Sequence, residues 1–172
     1  QLGTAVVKPV NGGSSLGIAI VSDADSLQKQ YEIATEYDPN VMAERYIEGK
    51  EFSIAVLGEE LLPAIQLETS RQFFDFDAKY VDKGTNIICP PDLSENKLRE
   101  LNELALKAYQ SLDCEGLARV DVMQDKQGKF FLLEVNTVPG MTSHSFVPMA
   151  ANHAGMDFDE LLLRILECEL NK

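Results

Sequence analysis

The chain has few cysteines, few basic residues and no long apolar run. Its three cysteines, Cys89, Cys114 and Cys168, lack CxxC spacing, which favours buried thiols in a reducing compartment over disulfides or a zinc site. Fifteen Lys and Arg against 28 Asp and Glu give a net charge of −13, which argues against binding to nucleic acid or to an anionic membrane. No run approaches the roughly 20 apolar residues of a membrane span, and no secretory segment is recognisable. We therefore expect a cytoplasmic protein.

Two common nucleotide-binding motifs, GxxxxGK[ST] and GxGxxG, are also missing. In their place a β-prone run at residues 4–9 contains Lys8 and precedes a glycine- and serine-rich loop at residues 11–17. Such a loop between strands can bring backbone N–H groups to a phosphate. Gly-Gly-Ser-Ser also marks a plain hairpin turn, and the adjacent Lys8 favours the anion site.

Residues 119–136 contain two alternating, β-prone runs around a glycine-containing turn, which predicts a β-hairpin. If the turn centres on residues 127–128, residues whose numbers add to 255 face each other. The opposed polar pairs are then Asp121 with Glu134 and Arg119 with Asn136. Directly opposed residues share a face of a sheet, so all four groups should gather on one side. The residues expected to point into a core on the other side are Val120, Val122, Leu133 and Val135.

This polar face predicts a metal site. Two facing carboxylates repel each other unless positive charge lies between them. Oxygen atoms of Asp, Glu and Asn suit Mg²⁺, which keeps several waters and also binds phosphate oxygens of a nucleotide. A solvated hairpin face with one salt bridge would give the same pattern. The loop at residues 137–145, rich in backbone donors and hydroxyls, directly follows the acidic strand and favours the magnesium–nucleotide site.

The remaining patterns predict a mixed fold. Helices are expected at residues 23–37, with Leu27, Tyr31 and Ala34 on one stripe, and at residues 94–112, with a short helix at 146–153 and a last one after Asp157. Strands are expected at residues 41–47, 51–57 and 61–67, and residues 69–86 resemble a functional lid or Ω-loop. Strands and helices do not alternate strictly, so the fold class is α+β. A length of 172 residues fits one domain or two small lobes.

Five motifs, in this order, make the chain resemble the D-alanine–D-alanine ligases, which are ATP-grasp enzymes of peptidoglycan synthesis. The resemblance runs from about Val6 to Leu166. The motifs are Val-Lys8-Pro with Gly13-Ser14-Ser15-x-Gly17, Glu44-Arg-Tyr-Ile-x-Gly49-x-Glu51-Phe, Phe76-Asp-Ala-Lys79-Tyr80, Arg119-Val-Asp121-Val-Met123, and Glu134-Val-Asn136-Thr-x-Pro-Gly140-Met-Thr-Ser-His-Ser145.

The resemblance implies an ATP-grasp fold, in which two α+β lobes with mainly antiparallel sheets grip the nucleotide. The smaller lobe would span residues 1–49 and the larger lobe residues 50–172. The family's N-terminal domain would be absent from this chain, so we expect the isolated fragment to be inactive. We expect the full-length enzyme to be a homodimer.

The resemblance also implies the reaction and its residues. ATP, with two Mg²⁺ ions (Mn²⁺ being a possible substitute), would phosphorylate one D-alanine, and a second D-alanine would attack the acyl phosphate. The catalytic residues would be Arg119, Ser14, Tyr80 and Gly140. The ATP-binding residues would be Lys8, Lys79, Glu44, Arg45, Ile47, Glu51, Phe73, Met123 and Leu133. The metal ligands would be Asp121, Glu134 and Asn136, and the second D-alanine would meet Ser145, Phe146 and Gly140.

Two alternatives stay open. One is another ATP-grasp ligase that uses D-lactate or D-serine as the second substrate; in the resemblance, the Lys79–Tyr80 pair favours the dipeptide over the D-lactate product. The other is a nucleotide-binding module without catalysis. The complete set of Arg119, Asp121, Glu134 and Asn136 argues against such a module.

Overall fold

The structure, a computed structural model, describes residues 3–13, 15–68 and 86–170. The chain divides after Ile47 into two compact units. Every strand pairing in the described residues is antiparallel, and helices accompany the sheet of each unit. The α+β class with antiparallel sheets is confirmed, while the functional lobes at residues 1–49 and 50–172 stay a prediction.

The first unit contains a three-stranded sheet in the order β2-β1-β3 and one helix. The elements are β1 (Ala5–Pro9), β2 (Ala19–Val21), α1 (Ala24–Thr35) and β3 (Val41–Arg45). Helix α1 begins after Asp23, whose side chain accepts a hydrogen bond from the backbone N–H of Ser26 while the Ser26 hydroxyl accepts one from the backbone N–H of Asp23. This reciprocal cap satisfies two backbone donors that the first turn of a helix leaves without partners.

The buried stripe of α1 differs from the prediction. Tyr31 is 47% exposed, and the buried positions are Gln30 and Ala34. Gln30 can be buried because its side-chain amide donates a hydrogen bond of 2.7 Å to the carbonyl oxygen of Gly17. A hydrophobicity pattern misses such a position because it ranks glutamine as a surface residue.

The second unit is built on a six-stranded sheet in the order β7-β6-β4-β8-β9, with β5 also paired to β4. Its strands are β4 (Gly49–Leu57), β5 (Glu60–Leu61), β6 (Ile65–Glu68), β7 (Asn86–Ile88), β8 (Leu117–Asp125) and β9 (Phe130–Asn136). Its helices are α2 (Glu95–Ser111), α3 (Phe146–His153) and α4 (Phe158–Leu170).

Helix α2 covers one face of this sheet and forms the main core with it. The core joins Leu101, Ala105 and Ala108 of α2 to buried side chains of the sheet, among them Phe52, Ile54, Val120 and Val122. Leu112, the last residue of the predicted helix, is 63% exposed because the helix ends at Ser111 and Leu112 is its C-cap. The inward direction of Val120 and Val122 is confirmed, so the other face of β8 carries the polar residues.

The last helix, α4, is only partly buried. Leu161 is fully buried, whereas Leu162 and Leu166 of the same helix are 39% and 56% exposed. No helix in the described residues is long and apolar enough to cross a membrane.

Candidate active site

The hairpin of β8 and β9 carries the candidate site. Asp121 lies opposite Glu134 and Arg119 lies opposite Asn136, as the sequence predicts. Because opposed residues in an antiparallel pair share a face, the four polar groups line one side of the hairpin. Val120, between the two polar residues of β8, is completely buried on the other side.

The pairing nearer the turn differs from the predicted register. Met123 lies opposite Phe131, and Val122 opposite Leu132, so these pairs add to 254 rather than 255. The turn is one residue longer than expected: residues 126–128 form a three-residue loop closed by residues 125 and 129, in which Gly128, with a φ of +81°, donates its N–H to the carbonyl of Asp125. A β-bulge between the two registers leaves Leu133 as the extra residue. Leu133, expected in the core with Val120, is half-buried at this bulge.

Asp121 is the most tightly held group of the site. It is only 7% exposed, and Arg119 binds both of its carboxylate oxygens: Nε lies 3.0 Å from Oδ1, and Nη2 lies 2.7 Å from Oδ2. A third donor is the hydroxyl of Ser53, 2.7 Å from Oδ1. Ser53 lies directly opposite Asp121 in the pairing of β4 with β8. The sequence prediction missed this residue, although it is the only polar side chain among residues 52–57.

Arg119 lies among three acidic residues. Burial lowers the pKa of its guanidinium, but the hydrogen bonds and charge of Asp121, together with the charges of Glu134 and Glu51, outweigh burial and raise that pKa. Nη2 of Arg119 is 4.0 Å from Oε1 of Glu134. The guanidinium carbon also lies 5.8 Å from the ring centre of Phe146 at the start of α3, which is within the range of a cation–π contact. Arg119 is therefore a permanently charged, positioned donor.

The residues of this face fit a magnesium ion by the chemistry of their donors. Glu134 has a side chain that is 58% exposed, and the side-chain oxygen of Asn136 accepts the N–H of Val138 at 3.0 Å. No group of three or more His, Cys, Asp or Glu suited to a metal occurs in residues 3–13, 15–68 and 86–170. Two carboxylates and one amide oxygen nevertheless match Mg²⁺, since this ion takes few protein ligands and completes its shell with water and phosphate.

The same sheet face continues towards the turn with larger side chains. Met123 lies opposite Glu51 of β4 on one side and Phe131 of β9 on the other. Since Met123 is two residues from Asp121 on the same strand, it shares the polar face. Met123 and Glu51 were predicted to contact ATP, whereas Phe131 was not predicted. Its position follows from the observed register, in which the turn is one residue longer.

The loop after β9 brings two predicted residues together. Ser145 is the N-cap of α3, and its hydroxyl accepts the N–H of Thr142 at 3.0 Å. A Cβ atom on Gly140 would lie 3.0 Å from Oγ of Ser145, so the two residues are direct neighbours. The start of α3, where Phe146 lies, is thus beside Gly140.

The first unit contains four of the residues predicted to bind ATP. Lys8 of β1 forms a 2.7 Å ion pair with Glu44 of β3, because Glu44 lies opposite Val6 and therefore diagonal to Lys8 on the same face. Arg45 is exposed at the end of β3, and Ile47 follows it half-buried. The other predicted residues Ser14, Phe73, Lys79 and Tyr80 lie outside the described residues.

Comparison with known proteins identifies the family. The family model "D-ala D-ala ligase C-terminus" matches residues 4–167 of the chain. The chain belongs to the D-alanine–D-alanine ligase family. Two curated D-alanine–D-alanine ligases, from Saccharophagus degradans and Alkalilimnicola ehrlichii, are each 51% identical to it, over 164 and 161 residues. These matches cover 95% and 94% of the chain but 52% of each relative, so the chain spans about half the length of these ligases.

Solved structures agree with this assignment. A D-alanine–D-alanine ligase from Bacillus anthracis has a TM-score of 0.86 at 38% identity, over 98% of the chain and 55% of that structure. A second such structure, complexed with ATP, has a TM-score of 0.84 at 33% identity, over 98% and 53%. The VanG D-Ala:D-Ser ligase from Enterococcus faecalis has a TM-score of 0.84 at 35% identity, over 96% and 49%. The ATP-grasp fold expected from the sequence is confirmed.

Proposed function

We propose that the protein joins two D-alanines into D-alanyl-D-alanine at the expense of ATP, for peptidoglycan synthesis. The observation that carries the proposal is the polar face of β8 and β9, where two carboxylates face each other beside Arg119, whose side chain is 13% exposed. This arrangement, in a chain that belongs to the D-alanine–D-alanine ligase family, supports catalysis over a nucleotide-binding module. Nucleotide binding alone has no need of a guanidinium placed between three acids.

The reaction has two steps. The carboxylate oxygen of the first D-alanine attacks the γ-phosphorus of ATP, ADP leaves, and an acyl phosphate forms. The amine of the second D-alanine then attacks the acyl carbon, loses a proton, and expels inorganic phosphate as the peptide bond forms. Both steps build negative charge on oxygen, so positioned donors and cations are the main requirement.

Negative charge develops on the oxygen bound to the acyl carbon when the amine attacks. Arg119 and the backbone N–H of Gly140 would stabilise this oxyanion by donating hydrogen bonds to it. Arg119 is suited to this role because the neighbouring acidic residues keep it charged and its hydrogen bonds to Asp121 fix its position. Gly140 adjoins Ser145 and the start of α3, where Ser145 and Phe146 would bind the second D-alanine. The N-terminus of a helix favours its carboxylate.

Asp121, Glu134 and Asn136 would hold Mg²⁺, with two ions in the complete site and Mn²⁺ as a substitute. The metal, when bound, neutralises phosphate charge. Glu134 is the most accessible of the three and would be shared between the ions. Asp121 can contribute only if Arg119 releases one of the two oxygens that it binds.

The sequence resemblance assigns the nucleotide-binding roles. Lys8 would neutralise phosphate, and Glu44 would accept from the adenine amino group beside the backbone of Arg45 and Ile47. These two roles require the ion pair between Lys8 and Glu44 to open when ATP binds. Glu51 would hold the ribose hydroxyls, with Met123 and Leu133 against the purine. Roles for Ser14, Phe73, Lys79 and Tyr80 rest on the sequence motifs alone.

The biological setting of the proposal follows from its substrates. D-alanine and ATP are small soluble molecules, so we place the enzyme in the cytoplasm. The family resemblance is the ground for proposing a homodimer. Neither nucleic acid nor a membrane has a part in the reaction.

The proposal is tested with the purified full-length protein, ATP, Mg²⁺ and D-alanine as the only amino acid. The expected result is phosphate release that depends on D-alanine and Mg²⁺, with D-alanyl-D-alanine identified by mass spectrometry. A protein that binds ATP but forms no dipeptide with D-alanine would contradict the proposal.

A second candidate is a D-alanine–D-serine ligase, because the VanG enzyme matches the chain nearly as well as the Bacillus anthracis ligase. Adding D-serine or D-lactate in competition with D-alanine separates the candidates, since the three products differ in mass. D-alanyl-D-alanine should remain the main product; predominance of the D-serine dipeptide or of the D-lactate ester would select another member of the superfamily.

A further inference from the structure

Ser53 is a polar residue in an apolar strand, and its burial calls for an explanation. It is only 3% exposed, within the run Phe52-Ser53-Ile54-Ala55-Val56-Leu57. A hydroxyl in such a place costs free energy unless it forms a hydrogen bond. Its partner is Oδ1 of Asp121, at 2.7 Å, so the hydroxyl of Ser53 is committed to a single carboxylate of the candidate site.

The two oxygens of Asp121 have different partners. Oδ1 accepts from Ser53 and from Nε of Arg119 at 3.0 Å. Among the described residues, Oδ2 accepts only from Arg119, at 2.7 Å from Nη2 and 3.2 Å from Nε. Oδ1 is therefore bound to a neighbouring strand as well as to Arg119, whereas Arg119 is the one described donor to Oδ2.

Because their partners differ, the two carboxylate oxygens of Asp121 can have different roles. A metal ion on Asp121 needs a lone pair that Arg119 now occupies, and Arg119 must reorient if it is to donate to an oxyanion. When the arginine turns away, the Ser53 hydroxyl is the one remaining described donor that keeps the carboxylate from rotating. Donors behind a metal ligand commonly fix its orientation in this way.

We propose that Ser53 is a positioning residue, which holds Oδ1 of Asp121 so that Oδ2 is presented to the metal. The inference rests on the proposed function, since it takes Asp121 to be a metal ligand. Ser53 touches neither the nucleotide nor the reacting atoms in this account; it acts through Asp121.

The test compares Ser53→Ala with Tyr109→Phe in the full-length protein. Tyr109 is a matched control: its hydroxyl is also buried, in a side chain 4% exposed, and donates a 3.0 Å hydrogen bond to the carbonyl of Gly116 on the α2 side of the sheet. Each substitution removes one buried hydroxyl and its hydrogen bond, so both should lower the melting temperature. Ser53→Thr restores a hydroxyl at the site.

The decisive readout is binding of Mn²⁺ in the presence of ATP, followed by electron paramagnetic resonance without turnover. Ser53→Ala should weaken Mn²⁺ binding about tenfold, within the range typical for losing a donor behind a metal ligand. Tyr109→Phe should leave it unchanged, and Ser53→Thr should bind close to wild type. In the turnover assay, Ser53→Ala should need more Mg²⁺ for half-maximal rate and recover most of its kcat at saturating Mg²⁺.

Equal Mn²⁺ affinity of Ser53→Ala and wild type would overturn the proposal and leave Ser53 a purely structural residue. The same conclusion would follow if Tyr109→Phe weakened Mn²⁺ binding as much as Ser53→Ala does. Ser53→Thr binding as weakly as Ser53→Ala would also count against it. The metal measurement is independent of peptide formation. A wild-type protein that binds Mn²⁺–ATP but makes no dipeptide would refute the proposed function while the comparison of variants still decides the role of Ser53.

Discussion

Asp121 is the most constrained charged side chain of the candidate site. Its carboxylate is nearly buried, yet three donor atoms on Arg119 and Ser53 bind it. Breaking a buried ion pair by removing one partner costs about 3–5 kcal/mol, so Asp121 and Arg119 depend on each other for stability as well as for chemistry. Substitution of either residue would confound folding with function.

Glu134 offers a cleaner test of metal binding, because its side chain is 58% exposed. We predict that Glu134→Gln abolishes Mg²⁺-dependent phosphate release, since the amide removes the charge of a metal ligand, while the free energy of unfolding changes by no more than about 0.5 kcal/mol. Turnover and urea denaturation measure the two effects. The control is Glu100→Gln on α2, where an exposed glutamate pairs with Lys97; it should leave turnover unchanged. Full activity of Glu134→Gln would remove Glu134 from the metal site.

Asp38 shows how one carboxylate can fix a loop in the first unit. It is 5% exposed. Its oxygens accept the backbone N–H of Asn40 at 2.9 Å and that of Asn11, at the start of the glycine-rich loop, at 2.6 Å. These hydrogen bonds, those from the two backbone N–H groups first, lower the pKa of Asp38 below its ordinary value of 3.8.

The lowered pKa predicts a pH dependence of stability. Near and below pH 3.8 the unfolded chain binds a proton at Asp38 more readily than the folded chain does. The ionised carboxylate of Asp38 therefore stabilises the folded state in full above that pH. This stabilisation is lost as the pH falls through the lower pKa of the folded state. Asp38→Asn should melt below wild type near neutral pH, and the difference should stay constant down to about pH 4 and shrink as the pH falls further. Thermal unfolding across this range measures it. A difference that stays constant with pH would show that the charge of Asp38 does not matter.

At the scale of elements, local patterns predicted the hairpin and helices better than the irregular features between them. Alternation of side chains fixed the face of Asp121 and Glu134, and the helical period located α2 and α3. The bulge at Leu133 accompanies a turn that is one residue longer than assumed, which the pattern of a single strand does not reveal. Ser53 was missed because its role depends on the pairing of β4 with β8, which brings it to Asp121. These two residues are 68 positions apart in the sequence.

Gly49 tests the pairing of these two strands. It lies opposite Asp125 in the register of β4 and β8, and a Cβ atom at Gly49 would overlap the carbonyl oxygen of Gln124. Gly49→Ala must push the strands apart, and we predict a loss of about 1–3 kcal/mol in the free energy of unfolding, measured by urea denaturation. Gly13→Ala is the control, because a Cβ atom at Gly13 would have no neighbour within 4 Å in the described part of the chain. Equal stability of the two variants would contradict the observed strand contact.

At the scale of the whole molecule, the fold class and family could be predicted because both rest on features spread along the chain. The five motifs span nearly its full length, and the family model covers residues 4–167. The roles of single residues need more than motifs. Lys8 and Glu44 were predicted to bind different parts of ATP, and their ion pair emerges only when the register of β1 and β3 is known.

The account depends most on Asp121, Glu134 and Asn136 acting together as metal ligands. The most direct measurement is a crystal structure of the full-length protein with a non-hydrolysable ATP analogue and Mn²⁺, with the metal located by anomalous scattering. We predict anomalous peaks within about 2.0–2.3 Å of oxygens of these three residues and of the nucleotide phosphates, with Oδ2 of Asp121 released by Arg119. Metal positions at other residues would contradict the account. So would an Arg119 that still donates hydrogen bonds to both oxygens of Asp121 when the metal is bound.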